Sequence, residues 1–183
     1  IGTHAFHLAC FVSGLTPASV LADLNSFVDG RQLDDNVHVL LRFEGGAKGM
    51  LWASQVAPGN ENGLRLRIYG DKAGLSWSQE NPNYLMFSPL GEPSRLLGRG
   101  GPGLTGAAER VTRIPPGHPE GYLEGFATIY REVADAIEAK RNGKDQPDEV
   151  IFPDLEDGLQ GMRFVDAVLR SHKNGGVWTS LNS

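Results

Sequence analysis

The chain has 183 residues, of which 40% are hydrophobic and 21% are charged, and this composition is typical of a folded domain with an apolar core. The formal net charge is -5 and basic residues do not cluster, which argues against a nucleic-acid surface. The longest apolar run, residues 8–12, is far shorter than the ~20 residues of a membrane-spanning helix. Cys10 is the only cysteine, so we expect a cytoplasmic protein. The chain begins at Ile1 and not at Met, and we expect it to be part of a longer protein.

The first half of the chain shows one helical pattern followed by strand patterns. Residues 3–13 place His4, Leu8, Phe11 and Val12 on one face of a short helix. Alternation of apolar and polar residues then predicts strands at 20–27, 36–44, 48–56, 64–69, 75–79 and 84–88. Gly45 and Gly46 predict a tight hairpin, because glycine accepts the positive φ of such turns. Short turns between successive strands indicate an antiparallel meander.

The second half is predicted to be a glycine-rich loop followed by two long helices. The loop covers residues 90–116. The first helix begins near Pro119 and ends at Gly143. The second begins after Asp154, which has the position of an N-cap, and ends at Gly175. We expect the core to contain Trp52, Trp77, the 122–137 stripe of the first helix, and Leu155, Leu159, Met162, Val165 and Leu169 of the second.

This order of elements predicts an α+β domain spanning residues 1–183. Its architecture is an open, mainly antiparallel β-sheet with helices packed on one face. The other face of the sheet would be uncovered, and an uncovered apolar face is typical of a subunit interface. Residues expected on that face are Arg65, Arg67, Tyr69, Leu40, Leu51 and Phe27.

The histidines are the main candidates for chemistry. His4 and His7 lie one helical turn apart and can point into one cleft, whereas Cys10 is turned about 120° from His4 and makes a three-ligand metal cage geometrically poor. The two imidazoles either pack as hydrogen-bonded residues or transfer protons near neutral pH. His118, just before the first long helix, and Asn62, in a polar loop, are either solvated or bind a ligand.

Residues 98–103 match the pattern G-x-G-x-x-G, which in nucleotide-binding proteins cradles a pyrophosphate. That role requires a buried strand before the glycines and a long helix after them. Residues 104–112 are too short and too polar for such a helix, and Pro115 and Pro116 follow. We therefore interpret the match as a flexible loop.

Three segments of the chain resemble the C-terminal domain of the glucose-fructose oxidoreductase, inositol dehydrogenase and MocA family. They are residues 1–8, residues 61–77 and residues 117–122. The family motif Asp-x-Gly-x-His is matched at Gly2 and His4, and its aspartate would come immediately before the chain. The resemblance implies a two-domain oxidoreductase, in which a Rossmann domain that this chain lacks binds NAD or NADP. The fragment alone would then be inactive.

The resemblance also implies a substrate and site residues. The substrate would be a sugar, inositol or a related polyol, and His4 would be the catalytic acid or base. His118, Asn62 and His7 would contact the substrate, with neither a metal site nor a cofactor site in this fragment. The protein would be a homo-oligomer joined through the open sheet face. The alternatives are a non-catalytic ligand-binding or dimerisation module, and a relative that performs redox-assisted isomerisation or glycoside cleavage.

Overall fold

The computed structural model describes residues 2–182, so Ile1, the first residue of the resembling segment, lies outside the described residues. The helices and strands in chain order are α1 (Gly2–Ser13), β1 (Pro17–Asn25), β2 (Asn36–Phe43), β3 (Lys48–Ser54), β4 (Arg65–Tyr69), β5 (Ala73–Ser78), β6 (Tyr84–Pro89), β7 (Arg95–Gly98), α2 (Gly106–Val111), α3 (Tyr122–Arg141), α4 (Leu155–Lys173) and β8 (Thr179–Ser180). They form two compact units, one made of the chain up to residue 62 and from residue 154 onward, the other of residues 63–153. The predicted α+β class and antiparallel pairing are confirmed, but the strands form two four-stranded sheets where one was expected.

The first unit is built on a sheet with strand order β3-β2-β1-β8. Alternation along the strands sends one set of side chains to a common face, because successive residues of a strand point to opposite sides. Val39 of β2 pairs in register with Ala22 of β1 and Leu51 of β3, and all three are buried. Helix α4 covers this face with Phe164, Ala167 and Val168. The result is a continuous apolar core.

Helix α1 joins that core through a face other than the predicted one. Phe6 is 1% exposed, and its ring stacks on that of Phe164 with centroids 4.1 Å apart. His4, Phe11 and Val12, which the periodicity placed together, are exposed. The same error occurs in α4, where the buried residues are Phe164, Ala167, Val168 and Ser171, while Leu155 and Met162 of the predicted stripe are exposed.

The other face of the first sheet is open within this unit. It carries Leu40, Met50 and Trp52, and Met50 is 79% exposed. The prediction that Trp52 is a core residue is therefore wrong. Leu51 was expected on this open face, but it points to the core because its neighbours Met50 and Trp52 take the outward positions.

The second unit has a sheet with strand order β4-β5-β6-β7 and almost no buried apolar residues. Within residues 63–153, all of which the structure describes, the fully buried residues are Glu120, Glu132 and Val150. The apolar stripe of α3 is exposed, with Tyr122 at 75%, so its assignment to the core is wrong. Across the described residues, no helix combines the length and apolarity needed to cross a bilayer.

Candidate active site

His4 lies in the first turn of α1 with its side chain exposed. Two residues turn a helix by about 200°, so His4 projects away from the side on which Phe6 enters the core. Among residues 2–182, the imidazole of His4 forms neither a hydrogen bond nor an ion pair. Its imidazole is therefore accessible to a ligand and is not a packing residue.

His7 is half-buried and held between two elements of the first unit. Its Nε2 atom lies 3.8 Å from Oδ1 of Asp157 in the first turn of α4, and its ring lies 6.3 Å from that of Phe11. The other oxygen of Asp157 accepts the Asp154 N–H at 2.9 Å in the capping box of α4. Three residues turn a helix by about 300°, so His4 and His7 project to the same side of α1.

The remaining predicted residues lie elsewhere in the chain. Asn62 is exposed in the bend that ends the first unit, before β4. His118 belongs to the second unit, where it lies in a turn four residues before α3 and is exposed. Gly117 makes this turn with a φ of 84°, a value that glycine adopts without strain. Two backbone contacts fix His118: its N–H donates to the Pro115 carbonyl at 3.3 Å, and its carbonyl accepts from Nη2 of Arg99 at 2.7 Å.

Residues 98–103 do not form a dinucleotide-binding turn. They follow β7, an antiparallel strand paired only with β6, and lead into the six-residue helix α2. A pyrophosphate cradle needs a parallel strand and a long helix, so this chain's residues do not fit a nicotinamide dinucleotide here. These residues connect β7 to α2 and are a loop, as predicted, but the predicted loop at 90–116 is wrong where it includes β7 and α2. Sequence reasoning also missed that Arg99, directly after β7, pairs with the buried carboxylate of Glu120 at 2.6 Å.

A thiol, a carboxyl group and the absence of a metal-binding cluster in the described residues bear on which chemistry the chain can perform. Burial raises the pKa of the Cys10 thiol to about 11, so the thiol stays protonated and unreactive near neutral pH. The Gly121 N–H donates to Glu124 at 2.8 Å and lowers the pKa of that carboxyl, which keeps it ionised at the start of α3. No group of three or more His, Cys, Asp or Glu residues within 2–182 could hold a metal ion. The exposed imidazoles of His4 and His118 are groups of a kind that can transfer protons near neutral pH.

Comparison with known proteins gives a family for this arrangement. Residues 1–76 match the model of the GFO/IDH/MocA C-terminal domain. The crystal structure of an oxidoreductase from Sinorhizobium meliloti is 61% identical to the chain and superposes with a TM-score of 0.93 over 97% of this chain and 50% of that one. The chain belongs to the GFO/IDH/MocA family.

Two further relatives support the family assignment. An inositol dehydrogenase homolog from Azotobacter vinelandii, crystallised with NADH and myo-inositol, is 34% identical with a TM-score of 0.91, over 98% of this chain and 48% of that one. The uncharacterized oxidoreductase YfiI of Bacillus subtilis (strain 168) is 35% identical over 181 residues, which are 97% of this chain and 46% of that protein. The chain thus spans about half the length of these GFO/IDH/MocA relatives.

The match to the family model covers the first unit's candidate residues and not the second's. His4, His7 and Asn62 fall within residues 1–76, whereas His118 lies outside them. The structural matches cover 97% and 98% of the chain. The resemblance to the GFO/IDH/MocA family found in the sequence is thus confirmed. The roles of individual residues stay predictions.

Proposed function

We propose that this chain is the substrate-binding part of an NAD- or NADP-dependent oxidoreductase that acts on a hydroxyl of a sugar, inositol or related polyol. The observation that carries the proposal is the exposed imidazole of His4, on the position that matches the histidine of the family motif. The Azotobacter vinelandii homolog, whose crystals hold NADH and myo-inositol, supports the substrate and cofactor classes. A Rossmann domain outside this chain would bind the cofactor.

His4 would act on the hydroxyl proton. Oxidation of an alcohol removes a hydride from carbon and a proton from oxygen, and a bound nicotinamide supplies the hydride acceptor. The neutral imidazole of His4 accepts the proton as the C=O bond forms and returns it in the reverse reaction. Such general-base assistance contributes about 10² to 10⁴ in rate.

His7, Asn62 and His118 would bind the substrate's other hydroxyl groups. Imidazole nitrogens and amide groups both donate and accept hydrogen bonds, which suits polyhydroxylated molecules. The Asp157 carboxylate near His7 favours the tautomer that places a proton on Nε2, since that nitrogen faces the carboxylate. The remaining ring nitrogen, Nδ1, then acts as an acceptor for a substrate hydroxyl.

The decisive experiment replaces His4 in the complete protein. Reduction of NAD⁺ and of NADP⁺ is followed with myo-inositol, D-glucose and D-xylose, and the fastest pair is kept for the variants. We expect His4→Gln to lower kcat about 10²- to 10⁴-fold while NADH binding, measured by fluorescence, is unchanged. His172→Gln, at an exposed histidine near the end of α4 that the proposal does not use, is the matched control and should retain wild-type kcat. An unchanged kcat in His4→Gln would remove His4 from the mechanism.

A second test uses the chain alone. Calorimetry of residues 1–183 with NAD⁺ or NADP⁺ should detect no binding, whereas calorimetry of the complete protein should detect binding of one of them. Low-micromolar binding by the isolated chain would contradict the proposal that the cofactor site lies outside it.

The open face of the first sheet supports a second role, in homo-oligomer formation. Leu40 and Met50 are cross-strand neighbours there, and the Trp52 indole is held by a hydrogen bond of 2.8 Å to Asn36. An apolar, ordered patch of this kind is typical of an interface core. Light scattering should show that Met50→Glu dissociates the oligomer, whereas Leu33→Glu, at an exposed loop position of the same unit, leaves it intact. A monomeric wild-type protein would exclude this role.

A further inference from the structure

The segment that carries His118 has no regular secondary structure, yet one arginine ties it down at several points. Arg99 donates to the carbonyl of Ile114 at 2.7 Å and to that of His118 at 2.7 Å. A third, longer contact of 3.4 Å reaches the Pro115 carbonyl. The planar guanidinium holds its donors in a fixed fork, so these carbonyls are fixed relative to one another.

The other side of the arginine is fixed just as firmly. Its Nε donates to Oδ1 of Asn83 at 2.8 Å, and its Nη1 lies 2.6 Å from Oε2 of Glu120. The Glu120 side chain is 5% exposed, and it also accepts the N–H groups of Arg113 and Ile114 at 3.0–3.2 Å. The Glu120 N–H in turn donates to the same Asn83 oxygen at 3.1 Å.

This network closes a loop around a buried ion pair. Burying two charges costs several kcal/mol of hydration, and an apolar pair of similar size is often as stable, so a buried pair fixes geometry more reliably than it adds stability. Here the fixed geometry is that of residues 113–120, because all the contacts except those to Asn83 end on their backbone or on Glu120, and Asn83 links the network to the residues before β6. The imidazole of His118 takes no part in the network and is exposed.

We propose that Arg99 is a positioning residue that holds His118 in place for substrate. This inference rests on the proposed role of His118 in substrate binding. A backbone held in place before the substrate arrives leaves only the side-chain torsions of His118 to be ordered on binding, so the network raises affinity without touching the substrate. Arg99, which lies in the G-x-G-x-x-G match that does not bind a nucleotide, would thus support binding of the polyol.

The test combines Arg99→Lys and His118→Ala in a double-mutant cycle on the complete protein, with the fastest substrate of the panel above. Lysine keeps the charge but lacks the fork, so we expect KM to rise about tenfold and kcat to change less than about twofold. In the His118→Ala background the same substitution should leave KM unchanged, because there is no imidazole left to position. Arg95→Lys is the matched control: Arg95, the first residue of β7, pairs with exposed Glu92 at 2.8 Å, so its substitution should not alter KM.

The outcomes separate the two proposals. If His118→Ala raises KM but Arg99→Lys does not, or if the two effects simply multiply, the positioning role is wrong while substrate binding by His118 stands. If His118→Ala leaves KM unchanged, both fail.

Hydrogen exchange of the wild-type protein tests the same network without any substitution. The N–H groups of Arg113, Ile114 and His118 should exchange at least about 100-fold more slowly than in an unstructured peptide. Exchange at the unstructured rate would overturn the proposal, even if Arg99→Lys fails to fold.

Discussion

The interiors of the two units are stabilised by different kinds of interaction. In the first, Phe6, Val39, Phe164 and their neighbours form one apolar core between the sheet and α4. In the second, the buried residues are Val150, Glu120 and Glu132. Each of the two glutamates is paired with an arginine. Apolar burial stabilises a unit without directional constraint, whereas hydrogen-bonded ion pairs fix the positions of particular backbone segments.

The difference predicts that substitutions act differently in the two units. In the first unit, the helix that carries His4 is attached to the apolar core through Phe6. The second unit leaves the apolar side chains of α3 exposed and uses Arg99–Glu120 and Arg110–Glu132 to order irregular segments. We therefore expect substitutions in the first unit to reduce stability most, and substitutions in the second to disturb local order.

The largest effect is expected from the aromatic stack of the first unit. Phe6→Ala removes a ring that is 1% exposed and leaves a cavity against Phe164, so the free energy of unfolding should fall by about 3–5 kcal/mol. Phe11→Ala, in the same helix but 58% exposed, should change it by less than about 1 kcal/mol. Urea denaturation followed by circular dichroism measures both. Equal losses in the two variants would show that α1 does not contribute to the core as described.

A smaller effect is expected from the buried carboxylate of α3. Glu132 pairs with Arg110 at 2.7 Å and accepts the Ile151 N–H at 3.0 Å, so Glu132→Gln should cost about 1.5–3 kcal/mol. Exposed Glu138 on the same helix provides the control, Glu138→Gln, which should be neutral.

Tryptophan fluorescence can locate this loss. Trp77 lies in the second unit, and Trp52 and Trp178 lie in the first. With Trp77 as the only tryptophan, Glu132→Gln should lower the urea midpoint. With Trp77 replaced by Phe and the other two kept, the midpoint should stay the same. Equal shifts from both reporters would mean that the two units unfold together. The two units would then differ in what is buried inside them but not in their stability.

The sequence predicted the strands of the first unit better than it predicted the helices' buried faces. Alternation separates the two faces of a strand directly, and Leu40 lies on the open face as expected. Alternation does not show which face is covered, and Leu51 was assigned to the wrong one. A helical stripe shows which residues would gain from burial but not what covers them, so the stripe of α3 was wrongly assigned to the core. Asp154 was correctly identified as a helix cap because capping is a local interaction, visible within four residues.

The candidate site was predictable in part for the same reason. The place of His4 in a helix was predicted, but its exposure was not, because the periodicity put it on the same face as Leu8. The family motif suggested a role for it. Arg99 was missed because its partners, from Ile114 to Glu120 on one side and Asn83 on the other, are distant in sequence and because they are mostly backbone carbonyls, which leave no residue-type signature. Strand β8 was missed similarly: it has two residues and depends on pairing with the distant β1.

The smallest effect concerns the one buried aspartate of the first unit, and it depends on pH. Asp35 accepts the N–H groups of Phe27 and Val28 at 2.9 and 3.1 Å, and these bonds, with help from the nearby Arg31, lower the pKa of its carboxyl below the ordinary value of 3.8. A lowered folded-state pKa stabilises the protein above the ordinary value, and this stabilisation is lost as the pH falls through the folded-state pKa. Asp35→Asn should therefore be destabilising at pH 6 and progressively less so below pH 4. Urea midpoints at both pH values measure this, with exposed Asp34→Asn as the control. If Asp35→Asn costs as much below pH 3 as at pH 6, the carboxylate charge does not stabilise the loop, and the first unit depends on apolar burial even here.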